Sequence, residues 1–172
     1  MSAEQRPVVR LGLFPGTFDP VTRGHLDILA RSLELCDRII VAVAEGHHKQ
    51  PLFSAQERVQ LIEEALPAGV RARVEVRPFA GLLVQCAQAH RVHMVVRGLR
   101  VISDFEYEFQ MALMNKRLWP EIETIFLMPG EEYIYLNSTL VKDVARCGGD
   151  ASPFVTDNVA RALARKFAGK GI

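Results

Sequence analysis

The sequence has few of the features that mark disulfide-linked, metal-binding or membrane-spanning proteins. Its three cysteines, Cys36, Cys86 and Cys147, are scattered over 172 residues and form no CxxC pair. An odd, scattered set argues against a disulfide framework or a zinc site, and predicts a reducing, cytoplasmic location. Residues 1–7 lack the apolar segment of a signal peptide. No apolar run approaches the roughly 18 residues that a membrane span needs, so no membrane partner is expected.

The chain also lacks an excess of one charge. Lys and Arg total 21 and Asp and Glu total 20, which gives a formal net charge of +1. Because no overall basic field is present, we expect no nucleic-acid partner, and any anion binding must come from local groups. Length and a hydrophobic share of 49% predict one globular domain over residues 1–172, with residues 1–7 as a loose N-terminal tail.

Two common nucleotide-binding motifs are absent. The sequence contains no GxGxxG, which disfavours an NAD-dependent oxidoreductase, and no GxxxxGK[ST], which disfavours a P-loop ATPase. Phosphate binding, if present, must therefore use a different arrangement of residues.

Apolar runs of strand length alternate with helical patterns along the whole chain. Strands are predicted at 8–14, 38–43, 73–76, 94–96 and 124–128, and helices at 25–35, 54–66, 82–90, 103–119, 138–146 and 157–167. Capping boxes at Ser54 and Ser103 mark two of the helix starts. Nearly continuous β-branched strands that alternate with helices predict an α/β fold, a doubly wound five-stranded parallel sheet of Rossmann-like type.

Ligands of such sheets bind at the carboxyl ends of the strands. After the first strand, the loop containing Thr17 leads to Thr22-Arg23-Gly24-His25, with Thr22 as the predicted N-cap of the next helix. A histidine at a helix N-terminus lies where anions are already attracted. A surface histidine after an ordinary turn is the alternative, but it leaves the joint occurrence of strand, glycines, Thr17 and His25 unexplained.

Three other strand ends also contain groups that bind phosphate. Lys49 follows the second strand, Arg97 and Arg100 follow the fourth, and Asn137-Ser138-Thr139 stands at a helix start after the fifth. A solvated lysine, surface salt bridges and simple helix capping are the structural alternatives. The neighbouring His47-His48 pair is interpreted as solvated because no carboxylate stands at ligand spacing.

No cysteine, serine–histidine pair or carboxylate dyad in the sequence indicates covalent catalysis. The four strand ends instead favour phosphoryl or nucleotidyl transfer, in which positioning and charge stabilisation provide most of the rate enhancement.

At these residues the chain resembles the bacterial phosphopantetheine adenylyltransferase family. The resemblance spans roughly residues 11–167. It rests on the segments FPGTFDP (14–20), TRGH (22–25), KQP (49–51), RGLR (97–100), DFEYE (104–108) and STLVK (138–142). TxGH alone marks only the wider nucleotidyltransferase superfamily, whereas RGLR followed by DFEYE is far more specific to this family.

The resemblance implies a reaction, a metal and an assembly. ATP and 4′-phosphopantetheine would give dephospho-coenzyme A and pyrophosphate, the penultimate step of coenzyme A synthesis. The family uses Mg²⁺, has a Rossmann-like nucleotidyltransferase fold and is typically a homohexamer. The metal ligands in this chain stay open, since Mg²⁺ is often held by phosphates and water.

The resemblance also implies residue roles. His25 would contact ATP and stabilise the transition state at its α-phosphate, and Thr17 would contact both ATP and the acceptor phosphate. Lys49, Leu83 and Arg97 would bind phosphopantetheine. The remaining ATP contacts would be Phe18, Gly98, Leu99, Arg100, Glu108, Tyr133, Ile134, Tyr135, Leu136, Asn137, Ser138 and Thr139.

One position departs from the family, and several functions stay open. Asn137 stands where the family usually has Ser or Thr, although its amide can still donate to phosphate. TxGH does not separate this reaction from adenylyl transfer to nicotinamide mononucleotide or from CTP-dependent transfer, and a non-catalytic nucleotide-binding module on the same fold is a further alternative. The helix at 103–119, apolar on more than one face, is expected to be buried in the core or in an oligomer interface.

Overall fold

The computed structural model describes residues 9–45, 51–100 and 102–168, without the side chains of residues 102–104. Within these ranges, strands and helices alternate along the chain. The strands are β1 (Leu11–Gly16), β2 (Arg38–Ala44), β3 (Val74–Phe79), β4 (Met94–Gly98) and β5 (Glu123–Leu127). The helices are α1 (Arg23–Leu35), α2 (Ala55–Ala65), α3 (Leu83–Ala89), α4 (Ile102–Leu118), α5 (Ser138–Arg146) and α6 (Asp157–Phe167), and 3₁₀ turns lie at Arg71–Arg73 and Glu131–Tyr133.

The five strands form one parallel sheet in the order β3-β2-β1-β4-β5, which confirms the doubly wound prediction. The chain moves outward from β1 to β2 and β3, then returns to place β4 on the other side of β1. The strand order therefore reverses between β1 and β4. The loops that follow these two strands diverge there and leave a crevice, where ligands of open α/β sheets bind.

Both faces of the sheet are covered, as the continuous apolar strands predict. Phe14 and Val41 pack with residues of α1, α2, α5 and α6 on one face. Leu13 and Ile40 pack with residues of α3 on the other face. No helix in the described part of the chain has both the length and the apolarity to cross a bilayer.

Several predicted boundaries differ from the observed ones. β1 begins at Leu11 and continues to Gly16, while β4 continues through Arg97 and Gly98, so the first residues of the RGLR segment belong to the sheet. The capping box at Ser54 is confirmed by reciprocal hydrogen bonds with Glu57. The one predicted at Ser103 is wrong, because α4 is already helical at Ile102 and Ser103 lies inside it.

Candidate active site

A cavity of about 320 Å³ opens at the carboxyl ends of the strands beside the β1–β4 switch. It brings together four of the predicted site residues, namely Thr17, Leu83, Arg97 and Glu108. Thr17 follows β1, Arg97 lies in β4, and the other two come from α3 and α4. Four elements that are distant in sequence therefore form one pocket at the expected edge of the sheet.

The wall that α4 contributes was not predicted from the sequence. Tyr107, Met111 and Asn115 line the cavity together with Glu108. Their spacing of four residues places them on one helix face. That spacing could have indicated a cavity-lining face in the sequence. It was obscured because α4 also has large apolar side chains on its other faces.

Arg97 is held in a fixed orientation by the pocket itself. Its Nε donates to Glu108 Oε2 at 2.7 Å, its Nη2 donates to the other carboxylate oxygen, and its Nη1 donates to the Pro15 carbonyl. A two-pronged pair of this kind restrains both side chains. Glu108 thus lies in the cavity as the partner of Arg97, and its contact with ATP stays a prediction.

His25 is oriented by the N-terminus of its own helix. Thr22 is the N-cap of α1, and its hydroxyl accepts the backbone N–H of His25. In return, the His25 Nδ1 accepts the backbone N–H of Thr22 at 3.0 Å. Because Nδ1 is the acceptor, the proton of the neutral ring is on Nε2, which is left as a hydrogen-bond donor. The predicted N-cap is confirmed, with histidine in the place that Glu or Gln takes in most capping boxes.

The ring of His25 is kept neutral by its surroundings. Burial, and then the positive charges of Arg100 and Arg97, lower the pKa of His25 from 6.5 to about 4. The Phe18 ring contacts it edge-on, with centroids 5.1 Å apart. Phe18 is itself buried, and its ring lies so close to Gly16 that a Cβ there would approach it to 2.8 Å. The last residue of β1 therefore needs to be glycine.

The loops after β4 and β5 meet next to this histidine. Arg100 Nη1 donates to the Leu136 carbonyl at 3.2 Å, and the Leu99 amide donates to the Leu127 carbonyl at 2.9 Å. Gly98 faces α1, where an added Cβ would lie 3.2 Å from Ile28. The predicted ATP contacts of the RGLR segment are thus brought beside the N-terminal half of α1.

The N-terminus of α5 also opens on this side of the fold. Asn137 is its N-cap, and the side-chain oxygen of Asn137 accepts the Leu140 amide at 2.9 Å. The Ser138 hydroxyl donates to the Pro20 carbonyl at 2.8 Å, which attaches α5 to the loop after β1. The rest of the predicted run differs in exposure: Tyr133 and Ile134 are half-buried, Leu136 is buried, and Tyr135 and Thr139 are exposed.

Some predicted positions cannot be placed. Lys49 and the His47-His48 pair lie outside the described residues. Among the residues that are described, no group of three or more His, Cys, Asp or Glu side chains is arranged to hold a metal ion.

The fold and the site define a nucleotidyltransferase of the Rossmann-like class, with a TxGH histidine at the mouth of α1. The model of the cytidylyltransferase-like family matches residues 13–144. Curated relatives narrow the class further, and the chain belongs to the phosphopantetheine adenylyltransferase family. The enzyme of that name from Methylococcus capsulatus is 52% identical to this chain, and the one from Caldanaerobacter subterraneus is 51% identical to it. Each alignment covers 92% of this chain. It covers 97% of the Methylococcus enzyme and 98% of the Caldanaerobacter enzyme.

Solved structures of lower identity share the fold. A putative nicotinate-nucleotide adenylyltransferase from Vibrio parahaemolyticus aligns with a TM-score of 0.67 at 15% identity, over 92% of this chain and 93% of that one. A bifunctional NMN adenylyltransferase/ADP ribose pyrophosphatase from Francisella tularensis, complexed with AMP and manganese, aligns with a TM-score of 0.62 at 16% identity. That alignment covers 95% of this chain and 53% of the other.

The depressed pKa of His25 predicts a specific loss of stability in mild acid. The unfolded imidazole titrates near 6.5 and the folded one near 4, so the unfolded state binds more protons between these values. The free energy of unfolding should therefore fall by about 2 kcal/mol through this group between pH 7 and pH 5. His25→Gln keeps an acceptor for the Thr22 amide and does not titrate.

Urea unfolding of both proteins at pH 7 and pH 5 checks this expectation. The carboxyl groups whose pKa is lowered, Asp37, Glu57 and Asp150, lose their stabilisation only as pH falls further, and they do so equally in both proteins. An identical pH dependence of the two proteins would contradict a His25 that is half-buried and neutral at pH 5.

Proposed function

We propose that this protein transfers the adenylyl group of ATP to 4′-phosphopantetheine, forming dephospho-coenzyme A and pyrophosphate. Curated relatives with this name, about half identical over nearly the whole chain, support the assignment. Within the molecule, the strongest support is that Thr17 lies between the cavity and the surroundings of His25. This residue lines the cavity that contains Arg97, and it lies one residue from Phe18, whose ring contacts His25.

The cavity suits the acceptor substrate. Arg97 offers a charged, oriented guanidinium for a terminal phosphate, and Phe79, Leu83 and Met111 give apolar walls for the arm attached to it. A volume of about 320 Å³ is at the small end of ligand pockets. We assign Arg97, Leu83 and Thr17 to phosphopantetheine, together with Lys49 by resemblance to the family.

ATP is assigned to the adjoining region between α1, the loop after β4 and the N-terminus of α5. Two helix N-termini open there, and both attract anionic phosphates. We assign His25, Thr17, Phe18, the Gly98-Leu99-Arg100 segment and the run 133–139 to the nucleotide. Glu108 is assigned to the nucleotide by resemblance to the family, and its hydrogen bonds orient Arg97 at the junction of the two substrates.

The chemistry needs no strong base. The acceptor phosphate is already ionised near neutral pH and attacks the α-phosphorus of ATP, while the bond to pyrophosphate breaks. Negative charge on the α-phosphate oxygens increases in the transition state. A neutral His25 that donates through Nε2, next to the α1 N-terminus, stabilises that charge. We propose that Mg²⁺ enters with ATP, held by its phosphates and water, because the described residues offer no three-ligand group.

Pyrophosphate release tests the proposed reaction. The purified full-length protein is mixed with ATP, Mg²⁺ and either 4′-phosphopantetheine or nicotinamide mononucleotide. We expect stoichiometric pyrophosphate and dephospho-coenzyme A with the first acceptor, and background release with the second. Release with nicotinamide mononucleotide alone would reassign the chain to the activity named for its structural neighbours, and release with neither would contradict adenylyl transfer.

We also propose a homohexamer and a reducing, cytoplasmic location. Cys36, Cys86 and Cys147 are free thiols, which supports the location. For the hexamer, α4 supports the proposal because many of its large apolar side chains are solvent-exposed in the isolated chain: Phe105, Tyr107, Phe109, Met111, Leu113, Met114 and Leu118. A patch of this extent on a soluble protein marks an interaction surface.

Light scattering checks the assembly. We expect a particle of six 19.2 kDa chains for the wild type and smaller species for Leu113→Glu, which places a charge on the exposed face of α4. Glu64→Gln, at an exposed position of α2, is the control and should stay hexameric. A monomeric wild type would contradict the proposal.

A further inference from the structure

Arg58, a residue to which the reaction assigns no role, is the largest fully buried side chain in the described part of the protein. Only 1% of it is exposed. Burial lowers the pKa of its guanidinium, and the nearby carboxylates of Asp19 and Glu45 act in the opposite direction. A buried charge of this kind is costly unless its donors are satisfied. The contacts that satisfy them therefore indicate what this arginine holds in place.

Among the described residues, Arg58 makes three hydrogen bonds, and all of them go to backbone carbonyls around the candidate site. Nη1 donates to the Thr17 carbonyl at 2.5 Å and to the Ala44 carbonyl at 2.9 Å. Nε donates to the Phe53 carbonyl at 3.1 Å. Thr17 follows β1 and Ala44 ends β2, and both line the cavity. The guanidinium thus joins the carboxyl ends of two neighbouring strands to the segment that enters α2.

Asp19 binds the segment before α2 as well. Asp19 is only 4% exposed, and its carboxylate accepts the amides of Leu52 and Phe53, each at 2.9 Å. It also accepts from Lys142 Nζ in α5 at 2.6 Å. Both the carbonyl and the amide of Phe53 are therefore bound by buried charged groups, and the loop after β1 is attached at Thr17 and Asp19.

We propose that Arg58 is a positioning residue for adenylyl transfer, which acts by fixing the main chain of Thr17 at the junction of the two substrate regions. The inference rests on the proposed function, in which Thr17 contacts both ATP and the acceptor phosphate. A planar guanidinium with donors in a fixed fork binds three carbonyls at once, which a lysine ammonium on a flexible stem does not reproduce.

Arg73 provides a matched control within the same molecule. It also donates to three backbone carbonyls, those of Leu33, Cys36 and Asp37, at 2.5, 2.8 and 2.9 Å. These carbonyls lie at the end of α1 and just before β2, at the amino edge of the sheet and opposite the cavity. Replacing Arg73 disturbs a similar set of bonds and leaves the site alone.

The test compares Arg58→Lys with Arg73→Lys in two measurements on the full chain. The first is kcat and KM at a temperature where both variants are folded. The second is the Thr17 methyl resonance in threonine-methyl-labelled protein, assigned with Thr17→Ser.

We expect kcat of Arg58→Lys to fall about 10- to 100-fold, with KM values much less affected, since a misplacement of 1 Å has effects of that order. We also expect its Thr17 resonance to shift. Arg73→Lys should keep wild-type kcat and resonance, with a smaller loss of melting temperature because Arg73 is only half-buried.

The two measurements separate the inference from the proposed function. Wild-type kcat and an unmoved Thr17 resonance in Arg58→Lys would overturn the positioning role, and so would an equal fall of kcat in both variants. A wild type that is inactive with phosphopantetheine would overturn the proposed function, while the methyl resonance still decides whether Arg58 places Thr17. Should Arg58→Lys not fold, Arg58→Met, which removes the buried charge together with its donors, is measured in the same way.

Discussion

The reciprocal hydrogen bonds between Thr22 and His25 are the interaction on which this site depends. They begin α1, and they also determine which nitrogen of the His25 ring has the proton. In most capping boxes a glutamate or glutamine takes this position and serves only the helix. Histidine satisfies the same backbone amide through Nδ1 and keeps a second nitrogen for a ligand. One local bond pattern thus provides helix stability and a preorganised hydrogen-bond donor.

The surroundings of His25 extend this preorganisation. The Phe18 ring restrains the imidazole, and Arg97 and Arg100 disfavour its protonation. Burial contributes most to keeping the histidine neutral, and the arginines that add to this effect are also groups that attract phosphate. Neutrality matters because a donor that is already in place, and that needs no proton exchange, stabilises transition-state charge without reorganisation.

The order of the strands explains why these residues meet. Reversal between β1 and β4 places the loop of Thr17 beside Arg97, although the two residues are separated by three helices along the chain. Buried charges then fix the loops on this edge. Arg58 and Asp19 bind the segments after β1 and β2, and Lys142 adds α5. Among the described residues, no buried side-chain nitrogen or oxygen lacks a hydrogen-bond partner.

Much of this arrangement could be predicted from local patterns, and the rest depends on long-range contacts. Apolar periodicity predicted all five strands, and the bounds of α5 and α6 agree with the structure. The pairing of Arg97 with Glu108 was not predicted, because it joins a strand to a helix across the pocket. Arg58 was missed for a similar reason: in sequence it follows Glu57 in an amphipathic helix and resembles an ordinary solvent-facing residue. Its burial arises only when α2 packs over the ends of β1 and β2.

The measurement that tests the account most directly is the turnover of His25→Ala with ATP and phosphopantetheine. Alanine removes the donor and leaves the Thr22 hydroxyl to cap α1, so the variant should fold. We expect kcat to fall on the order of 10²–10³-fold, as for loss of one preorganised donor, while the dissociation constant of ATP changes little. A His25→Ala protein with near-normal kcat would contradict the role of this histidine and, with it, the proposed chemistry of the site.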